Sequence, residues 1–186
     1  MRPPPHEVRV IGGSWKRSKL PVADRPGLRP TPDRVRETLF NWLGQDLAGW
    51  RCLDAFAGSG ALGFEAASRG AAEVVLLERE RVLARSLEQV KQRLGASAVR
   101  IEAADAIAWM ARCAPGRFEV VFVDPPFDSL LFEPALKLAA PLVTPEGFVY
   151  LEAGEPYGTE KLAALGLAVR RQSRAGAVHF HLLRRV

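Results

Sequence analysis

The feature that most constrains the fold is an alternation, after Cys52, of short apolar runs with longer helical stretches. Five runs are predicted to be strands: 53–56, 74–78, 99–102, 120–124 and 148–152. Four segments between them are predicted to be helices: 61–69, 80–94, 104–113 and 130–143. Because buried strands joined through helices form right-handed crossovers, this pattern predicts an α/β fold with a parallel sheet covered on both faces.

The two ends of the chain depart from this alternation. Residues 167–172 and 178–183 flank a short polar segment, which predicts a hairpin and an antiparallel last strand. The first thirty residues hold six of the fourteen prolines. They are expected to be extended, with short strands at 8–11 and near Leu20, and to form an arm rather than part of the core. A helix capped by Thr31 should then run to about Leu43. One domain of two parts is expected: a basic arm, 1–30, and the α/β domain, 31–186.

The formal net charge of +5 lies at one end of the chain. Residues 1–36 hold nine Lys and Arg against three acids, whereas the other 150 residues carry 17 bases and 18 acids. A smaller basic group closes the chain: Arg170, Arg171, Arg174, Arg184 and Arg185. The excess indicates an anionic partner, and the alternative is a solvated basic surface.

Several classes of protein are excluded by what the sequence lacks. No window approaches the roughly 18 apolar residues of a membrane span, and the N-terminus has no signal-peptide core, so a cytoplasmic protein is expected. Cys52 and Cys113 form no CxxC pair, so no disulfide framework or metal site is predicted. His179 and His181 alternate along the last strand and are expected at its surface. Neither of two loop serines, Ser59 and Ser129, has an evident base beside it, which argues against a hydrolase.

A glycine loop follows the first strand of the predicted sheet. Gly58, Gly60 and Gly63 have the G-x-G-x-x-G spacing, and Glu78 ends the next strand 20 residues after Gly58. Glycines let the backbone approach a nucleotide, and a carboxylate at that strand end can accept bonds from ribose hydroxyls. The combination predicts an adenine-nucleoside cofactor.

The acids around this loop favour one of two cofactors. NAD carries a pyrophosphate, whereas S-adenosylmethionine has no phosphate and carries a cationic sulfonium. Asp54 precedes the glycines, and Asp105 follows the third strand, where it could meet the adenine amino group. These acids favour S-adenosylmethionine. The structural alternative is that Asp54 caps the turn and Asp105 caps the next helix.

The fourth strand ends in the tetrapeptide Asp124-Pro125-Pro126-Phe127. Two prolines force a stiff turn at the carboxyl edge of the sheet, where α/β proteins bind ligands. An aromatic amino group is a poor nucleophile unless its N–H groups are held by acceptors. The Asp124 carboxylate and the Pro125 carbonyl can hold one NH₂, while Phe127 stacks on the base for about 1–3 kcal/mol. The alternative is a surface turn with a buried Phe, which the position after a glycine loop makes less favourable.

With these motifs the sequence resembles the RsmD family of bacterial methyltransferases. The resemblance covers nearly the whole chain and is most specific in segments 9–20 and 28–43. It implies S-adenosylmethionine-dependent methylation of a guanine N2 amino group in 16S rRNA, without a metal. It also implies a Rossmann-like, seven-stranded class I methyltransferase sheet with a reversed last strand. The expected partner is the small ribosomal subunit or an assembly intermediate, and a monomer is expected.

The family's site residues are transferred to matching positions of this sequence. The resemblance implies cofactor contacts at Asp54, Phe56, Gly58, Gly60, Glu78 and Asp105, and base contacts at Asp124, Pro125, Pro126 and Phe127. Excess charge then predicts phosphate contacts at Arg9, Lys16, Arg17, Lys19, Arg29, Arg34 and Arg36, with Trp15 as a stacking surface. Two alternatives stay open. One is a DNA adenine-N6 methyltransferase, although 186 residues leave no room for the usual DNA-recognition domain; the other is a non-catalytic RNA-binding assembly factor.

Overall fold

A computed structural model describes residues 7–25 and 30–186. Its strands in chain order are β1 Glu7–Arg9, β2 Lys19–Pro21, β3 Arg51–Asp54, β4 Glu73–Leu77, β5 Val99–Glu102, β6 Phe118–Val123, β7 Val143–Ala153, β8 Leu167–Ala175 and β9 Val178–Arg185. Its helices are α1 Asp33–Leu43, α2 Ala61–Ser68, α3 Arg81–Leu94, α4 Ala106–Arg112, α5 Phe132–Leu142 and α6 Thr159–Ala164.

Seven strands form one sheet in the order β5-β4-β3-β6-β7-β9-β8. The strands from β3 to β7 are parallel, and β9 is antiparallel to both β7 and β8. The predicted parallel core and closing hairpin are therefore confirmed. The main difference is at β7, which begins at Val143 directly after α5 rather than at 148. Pro141 lies in the last turn of α5 and favours the end of the helix there.

Two hydrophobic clusters cover the two faces of the sheet. Alternate strand residues point to opposite faces, so Val74 belongs to the cluster beneath α1, α2 and α3, and Val75 to the cluster beneath α4, α5 and α6. The sequence did not predict α6. It has only six residues and buries one of them, Leu162, so its apolar pattern is too short to detect.

The N-terminal arm joins the first of these clusters. Strands β1 and β2 pair antiparallel, and Val8, Val10 and Leu20 are buried in the core. The expectation that the arm stays outside the core is wrong. Thr31 is also misassigned as a cap, because Pro32 occupies the cap position of α1 without a side-chain bond.

His181 is another residue that the sequence places wrongly. It is buried on β9, and its Nε2 accepts a hydrogen bond from the Tyr157 N–H at 3.3 Å. Burial lowers the pKa of His181 below its usual value. Its role is to hold the segment after β7. Within residues 7–25 and 30–186, no helix has the length and apolar character needed to cross a membrane.

Candidate active site

Four acidic side chains meet at the carboxyl edge of the sheet, where the parallel strands end. Asp54 ends β3, Glu78 follows β4, Asp124 follows β6, and Glu152 is the penultimate residue of β7. Val123 pairs with Leu151, so Asp124 and Glu152 come next to each other on neighbouring strands. The topology thus gathers acids from distant parts of the chain, as Asp54, Glu78 and Asp124 were predicted to do.

The glycine loop turns sharply between β3 and α2. Gly58 and Gly60 have positive φ angles of 55° and 79°, which glycine adopts without strain. Gly63 is needed for a different reason, because a Cβ there would lie 2.0 Å from Leu76 Cδ2. The third glycine therefore lets α2 pack closely on β4, and the loop has the predicted form.

Asp54 lies beneath this loop and is buried. Its Oδ2 accepts a hydrogen bond from the Gly63 N–H at 3.0 Å. Burial, with smaller contributions from the Glu78 and Glu152 carboxylates, raises the pKa of Asp54 from 3.8 to about 7, against the effect of the Gly63 and Phe56 backbone bonds. Asp54 thus fixes the loop through this bond, which is the turn-capping role considered as the alternative to cofactor binding. Its carboxyl group also places an acid beneath the loop.

Glu78 connects the loop to the next strand. Its Oε2 accepts a hydrogen bond from the Gly58 N–H at 3.1 Å, and its Oε1 accepts one from the Glu80 N–H at 3.0 Å. Phe56 is half-buried beside them. The loop residues predicted to contact a cofactor therefore lie together around one turn.

Asp105 is placed differently from the other acids. It is exposed, and its Oδ1 accepts a hydrogen bond from the Ala108 N–H at 2.9 Å, so it caps α4. The structure therefore shows Asp105 as a helix cap, and a contact of Asp105 with the cofactor stays a prediction.

The tetrapeptide after β6 presents its aromatic ring at the surface. Asp124 is half-buried, Pro125 is buried and Pro126 is exposed, while Phe127 is 41% exposed. The Phe127 ring lies against Gly154, where an added Cβ would be 3.3 Å from Phe127 Cδ2. A ring packed on one side and open on the other can stack on a base, and the alternative of a buried Phe is not what the structure shows.

Asp124 and Glu152 share a set of hydroxyl partners that the sequence analysis missed. The Tyr150 hydroxyl donates to Glu152 Oε1 at 2.7 Å, and the Thr31 hydroxyl acts to lower the pKa of both carboxyls. Burial and the Glu152 and Asp54 charges raise the pKa of Asp124 well above 3.8, and burial also raises the pKa of Glu152. Glu152 could have been found, because it ends the predicted strand 148–152 at the same edge as Asp124. Thr31 could not, since it is distant in sequence.

Arg36 is not on the surface, and its predicted phosphate contact is wrong. Its side chain is fully buried and donates to the backbone oxygens of Thr31 at 3.2 Å and Arg9 at 2.7 Å. It also donates to Glu65 Oε2 at 3.3 Å and Asp33 Oδ1 at 2.5 Å. Arg36 therefore has its hydrogen-bond acceptors within the protein, because α1 packs this side chain against the arm and α2.

Glu65 anchors the arm from the other side. It is fully buried on α2, and its carboxylate accepts from the Ile11 and Gly12 N–H groups at 2.9 Å each. Arg69 donates to it at 3.0 Å. At Gly13, with φ 77°, an added Cβ would lie 1.9 Å from the Ser68 carbonyl oxygen. The arm therefore docks through buried polar contacts, and its close approach to α2 leaves no room for a side chain at Gly13.

The other predicted phosphate contacts lie outside this anchor. Arg9, Lys16, Arg17, Lys19 and Arg34 are exposed. Lys19 pairs with Glu7 at 2.9 Å, and the Trp15 N–H donates to Ser68 Oγ at 2.9 Å, with the indole half-buried. Arg29 lies outside the described residues. In the ranges described, no group of His, Cys, Asp and Glu is arranged to hold a metal ion.

Comparison with known proteins agrees with this arrangement. The family model "Conserved hypothetical protein 95" matches residues 8–184. Ribosomal RNA small subunit methyltransferase D of Escherichia coli is 40% identical over all of this chain and 96% of its own. The Haemophilus influenzae protein of that name is 44% identical over 78% of each chain.

A solved structure gives the same result. The Escherichia coli protein yhhF superposes with a TM-score of 0.82 at 40% identity, covering 96% of this chain and 98% of that one. TrmN from Thermus thermophilus, at 24% identity and a TM-score of 0.69, shares the fold alone, covering 88% of this chain and 51% of that one. The sheet order and the reversed last strand are those expected of a class I methyltransferase. The chain belongs to the Conserved hypothetical protein 95 family, which is the RsmD family that its sequence resembles.

Proposed function

We propose that this protein transfers a methyl group from S-adenosylmethionine to the N2 amino group of a guanine in 16S rRNA. The observation that carries the proposal is the position of the Asp124-Pro125 turn at the same sheet edge as the glycine loop, with the Phe127 ring exposed beside it. The relatives named as ribosomal RNA small subunit methyltransferase D support rRNA as the substrate class.

The chemistry of the donor set fits S-adenosylmethionine. The loop is surrounded by Asp54, Glu78, Asp124 and Glu152, and the pKa of Asp54 is raised in part by the charges of Glu78 and Glu152. An acidic site attracts a sulfonium cation and repels the pyrophosphate of NAD. When bound, S-adenosylmethionine supplies the electrophilic methyl group. Glu78 is placed to hold its ribose, and the Gly58 and Gly60 backbone to admit its amino acid part.

The tetrapeptide orients the amino group that is methylated. The Asp124 carboxylate and the Pro125 carbonyl would each accept one N–H of the base, which directs the nitrogen lone pair towards the methyl donor. The stiff turn fixes both acceptors before the base arrives, so no rearrangement is needed at the moment of reaction. Phe127 stacks on the base plane and sets its height above the turn.

Asp124 also accepts the proton that the methylated nitrogen loses. Burial and the nearby acids raise its pKa, so the ionised carboxylate is a stronger proton acceptor than an exposed aspartate. Thr31 and Glu152 act on the reaction through the pKa of Asp124, which the Glu152 charge raises and the Thr31 hydroxyl lowers.

The exposed bases of the arm and of α1 hold the RNA outside the pocket. Arg9, Lys16, Arg17 and Arg34 are available for phosphates, and contacts of this kind make binding depend on salt. The target guanine must leave its stack to reach Phe127, which is least costly in an unpaired loop.

Methyl transfer to three substrates tests the proposal. Small ribosomal subunits from a strain lacking the enzyme, deproteinised 16S rRNA from that strain, and duplex DNA are each incubated with labelled S-adenosylmethionine. We expect N2-methylguanine in rRNA, identified by mass spectrometry of nucleosides. Label in N6-methyladenine of DNA alone would support a DNA methyltransferase. RNA binding without transfer to any substrate would support an assembly factor.

A further inference from the structure

The five arginines near the C-terminus divide into two groups according to sheet register. Arg184 and Arg185 lie at the end of β9, where Arg184 pairs with Phe148 and therefore sits towards the amino ends of the parallel strands. Arg174 pairs with His179, and His179 pairs with Ala153, the last residue of β7. The tip of the β8–β9 hairpin thus lies at the carboxyl edge, beside the candidate active site.

The distance from this tip to the site follows from the strand spacing. Neighbouring strands lie about 4.8 Å apart, so the Arg174 backbone is roughly 10 Å from Ala153, two strands away. The β6 end, from which Asp124 extends, is one further strand away. A long arginine side chain at this position can contact RNA that flanks a base held at Asp124.

The two groups of arginines also differ in their partners. Arg184 stacks over the Phe148 ring at 5.1 Å and lies 3.9 Å from Glu146, and Arg185 donates to the Val143 carbonyl oxygen at 3.4 Å. Arg170, Arg171 and Arg174 are exposed, and none of the carboxylates in the described part of the chain forms a salt bridge with them. In that part of the chain Arg174 donates only to the Gly176 carbonyl oxygen of its own turn, at 2.7 Å. Among the described residues these three charges therefore have no acidic partner, and the register places Arg174 at the carboxyl edge and Arg170 and Arg171 further along β8.

Helix α1 contacts both the arm and the β8–β9 hairpin. Trp42 of α1 stacks on Phe180 of β9 at 5.2 Å between ring centres, while Arg36 of the same helix bonds to the arm at Arg9. Arg171 pairs with Leu182, so it shares the sheet face that α1 covers, whereas Arg174 is adjacent to Ala175 of that face and points to the other side of the same edge strand. The exposed Arg34 lies on α1 itself. Basic residues thus occur on the arm, on α1 and on β8.

We propose that Arg170, Arg171 and Arg174 form a second RNA-binding surface along the exposed edge strand β8, where side chains of both faces can hold backbone phosphates of RNA that flanks the base pocket. This inference rests on the proposed function and extends it to a part of the chain without an assigned role. An edge strand also gains from charge because charge prevents pairing with another sheet. Protection of the edge alone requires no RNA contact, so the two roles give different results in a binding assay.

A matched pair of double variants tests this surface. R171Q/R174Q removes two exposed charges of β8, and R112Q/R185Q removes two exposed charges elsewhere. With small subunits from a strain lacking the enzyme as substrate, we expect R171Q/R174Q to raise KM about tenfold at unchanged kcat. Its salt dependence should become shallower by about two in log–log slope. The control variant should keep the KM and slope of the unchanged protein, and S-adenosylmethionine affinity should be the same in all three.

The charge-retaining variant R171K/R174K separates phosphate binding from packing. It should restore KM to within about twofold of the unchanged protein, and a defect equal to that of R171Q/R174Q would overturn the inference. Equal KM and salt slope for R171Q/R174Q and R112Q/R185Q would also overturn it. The proposed function would still stand if the unchanged protein methylates rRNA and the arm variant R9Q/R17Q binds it more weakly. Absence of rRNA methylation by the unchanged protein would instead reject the proposed function itself.

Discussion

Two acidic groups differ in their partners: Glu65 on α2, and the pair Asp124 and Glu152 at the carboxyl edge of the sheet. Glu65 accepts four hydrogen bonds, two from backbone N–H groups and two from the arginines Arg36 and Arg69. Asp124 and Glu152 have the hydroxyls of Thr31 and Tyr150, and in the described part of the chain no Lys or Arg side chain is hydrogen-bonded to them. Arg36 acts on Glu152 only through space.

The difference shows which group serves the fold and which serves the reaction. The negative charge of Glu65 is matched inside the protein, so removing it leaves a buried cation without a partner. The acids of the active site raise one another's pKa values and carry more negative charge than the chain neutralises. That arrangement opposes folding and favours an incoming cation and N–H donors, which a methyl donor and a base amino group supply.

Loss of Glu65 is expected to have the largest effect on stability. E65A leaves Arg36 buried and partly unpaired, so the free energy of unfolding should fall by about 3–5 kcal/mol in urea denaturation. E133A is the matched control, because Glu133 forms an exposed pair with Lys161 at 3.2 Å. Its removal should cost less than about 1 kcal/mol. Equal losses for the two variants would show that burial of the Glu65 network adds nothing.

Loss of the Asp124 carboxylate should affect turnover and leave the fold intact. We expect D124N to lower kcat for rRNA methylation by at least about 10²-fold, because the proton acceptor is lost and the amide oxygen that remains is a weaker, uncharged acceptor for the amino group. Its free energy of unfolding at neutral pH should be equal to or above that of the unchanged protein, since an acid with a raised pKa is removed. A loss of stability like that of E65A would remove the contrast between the two groups.

Whether each of these two groups could be predicted depends on how far apart its residues lie in the sequence. Strand periodicity, the glycine loop and the diproline turn are local patterns, so the sheet and the position of Asp124 were predictable. The contacts of Glu65 join residues 53 and 54 positions apart in the arm, and Arg36 lies 29 positions from Glu65. Only tertiary packing brings these together. From sequence alone, Arg36 could not be told apart from the exposed arginines near it, such as Arg34. It was therefore predicted to bind phosphate, although its side chain is buried.

The raised pKa of Asp54 predicts a stability that depends on pH. Its pKa is about 7 in the folded protein and 3.8 ordinarily, so the folded state binds a proton that the unfolded chain releases between these values. Stability should therefore fall as pH rises from about 4 to about 7. In D54N this slope should be smaller by up to about 1.4 kcal/mol per pH unit, measured by denaturation at several pH values. If D54N has the same slope as the unchanged protein, a group other than Asp54 takes up the proton.

Cofactor charge gives a second measurement on the same carboxyl. S-adenosylmethionine carries the sulfonium cation, whereas S-adenosylhomocysteine is the uncharged thioether. Binding of the cation should lower the pKa of Asp54 and release protons near pH 7 to a greater extent than binding of the thioether. Calorimetry in buffers of different ionisation enthalpy measures the difference, which D54N should reduce. Equal proton release for the two ligands would mean that the acids do not face the sulfonium.

Asp105 extends the comparison to an acid with one partner, and its variants should have the smallest effects. D105A loses the cap of α4, so the free energy of unfolding should fall by about 1 kcal/mol, whereas D105N keeps an oxygen that can cap. Within the described residues only Oδ1 is bonded, to the Ala108 N–H, which leaves Oδ2 for the adenine amino group. We therefore expect D105A to raise the Kd for S-adenosylmethionine about fivefold to tenfold, the value of one hydrogen bond. An unchanged Kd together with the lower stability would make Asp105 a helix cap only, because one backbone partner would then account for the whole role of this carboxylate.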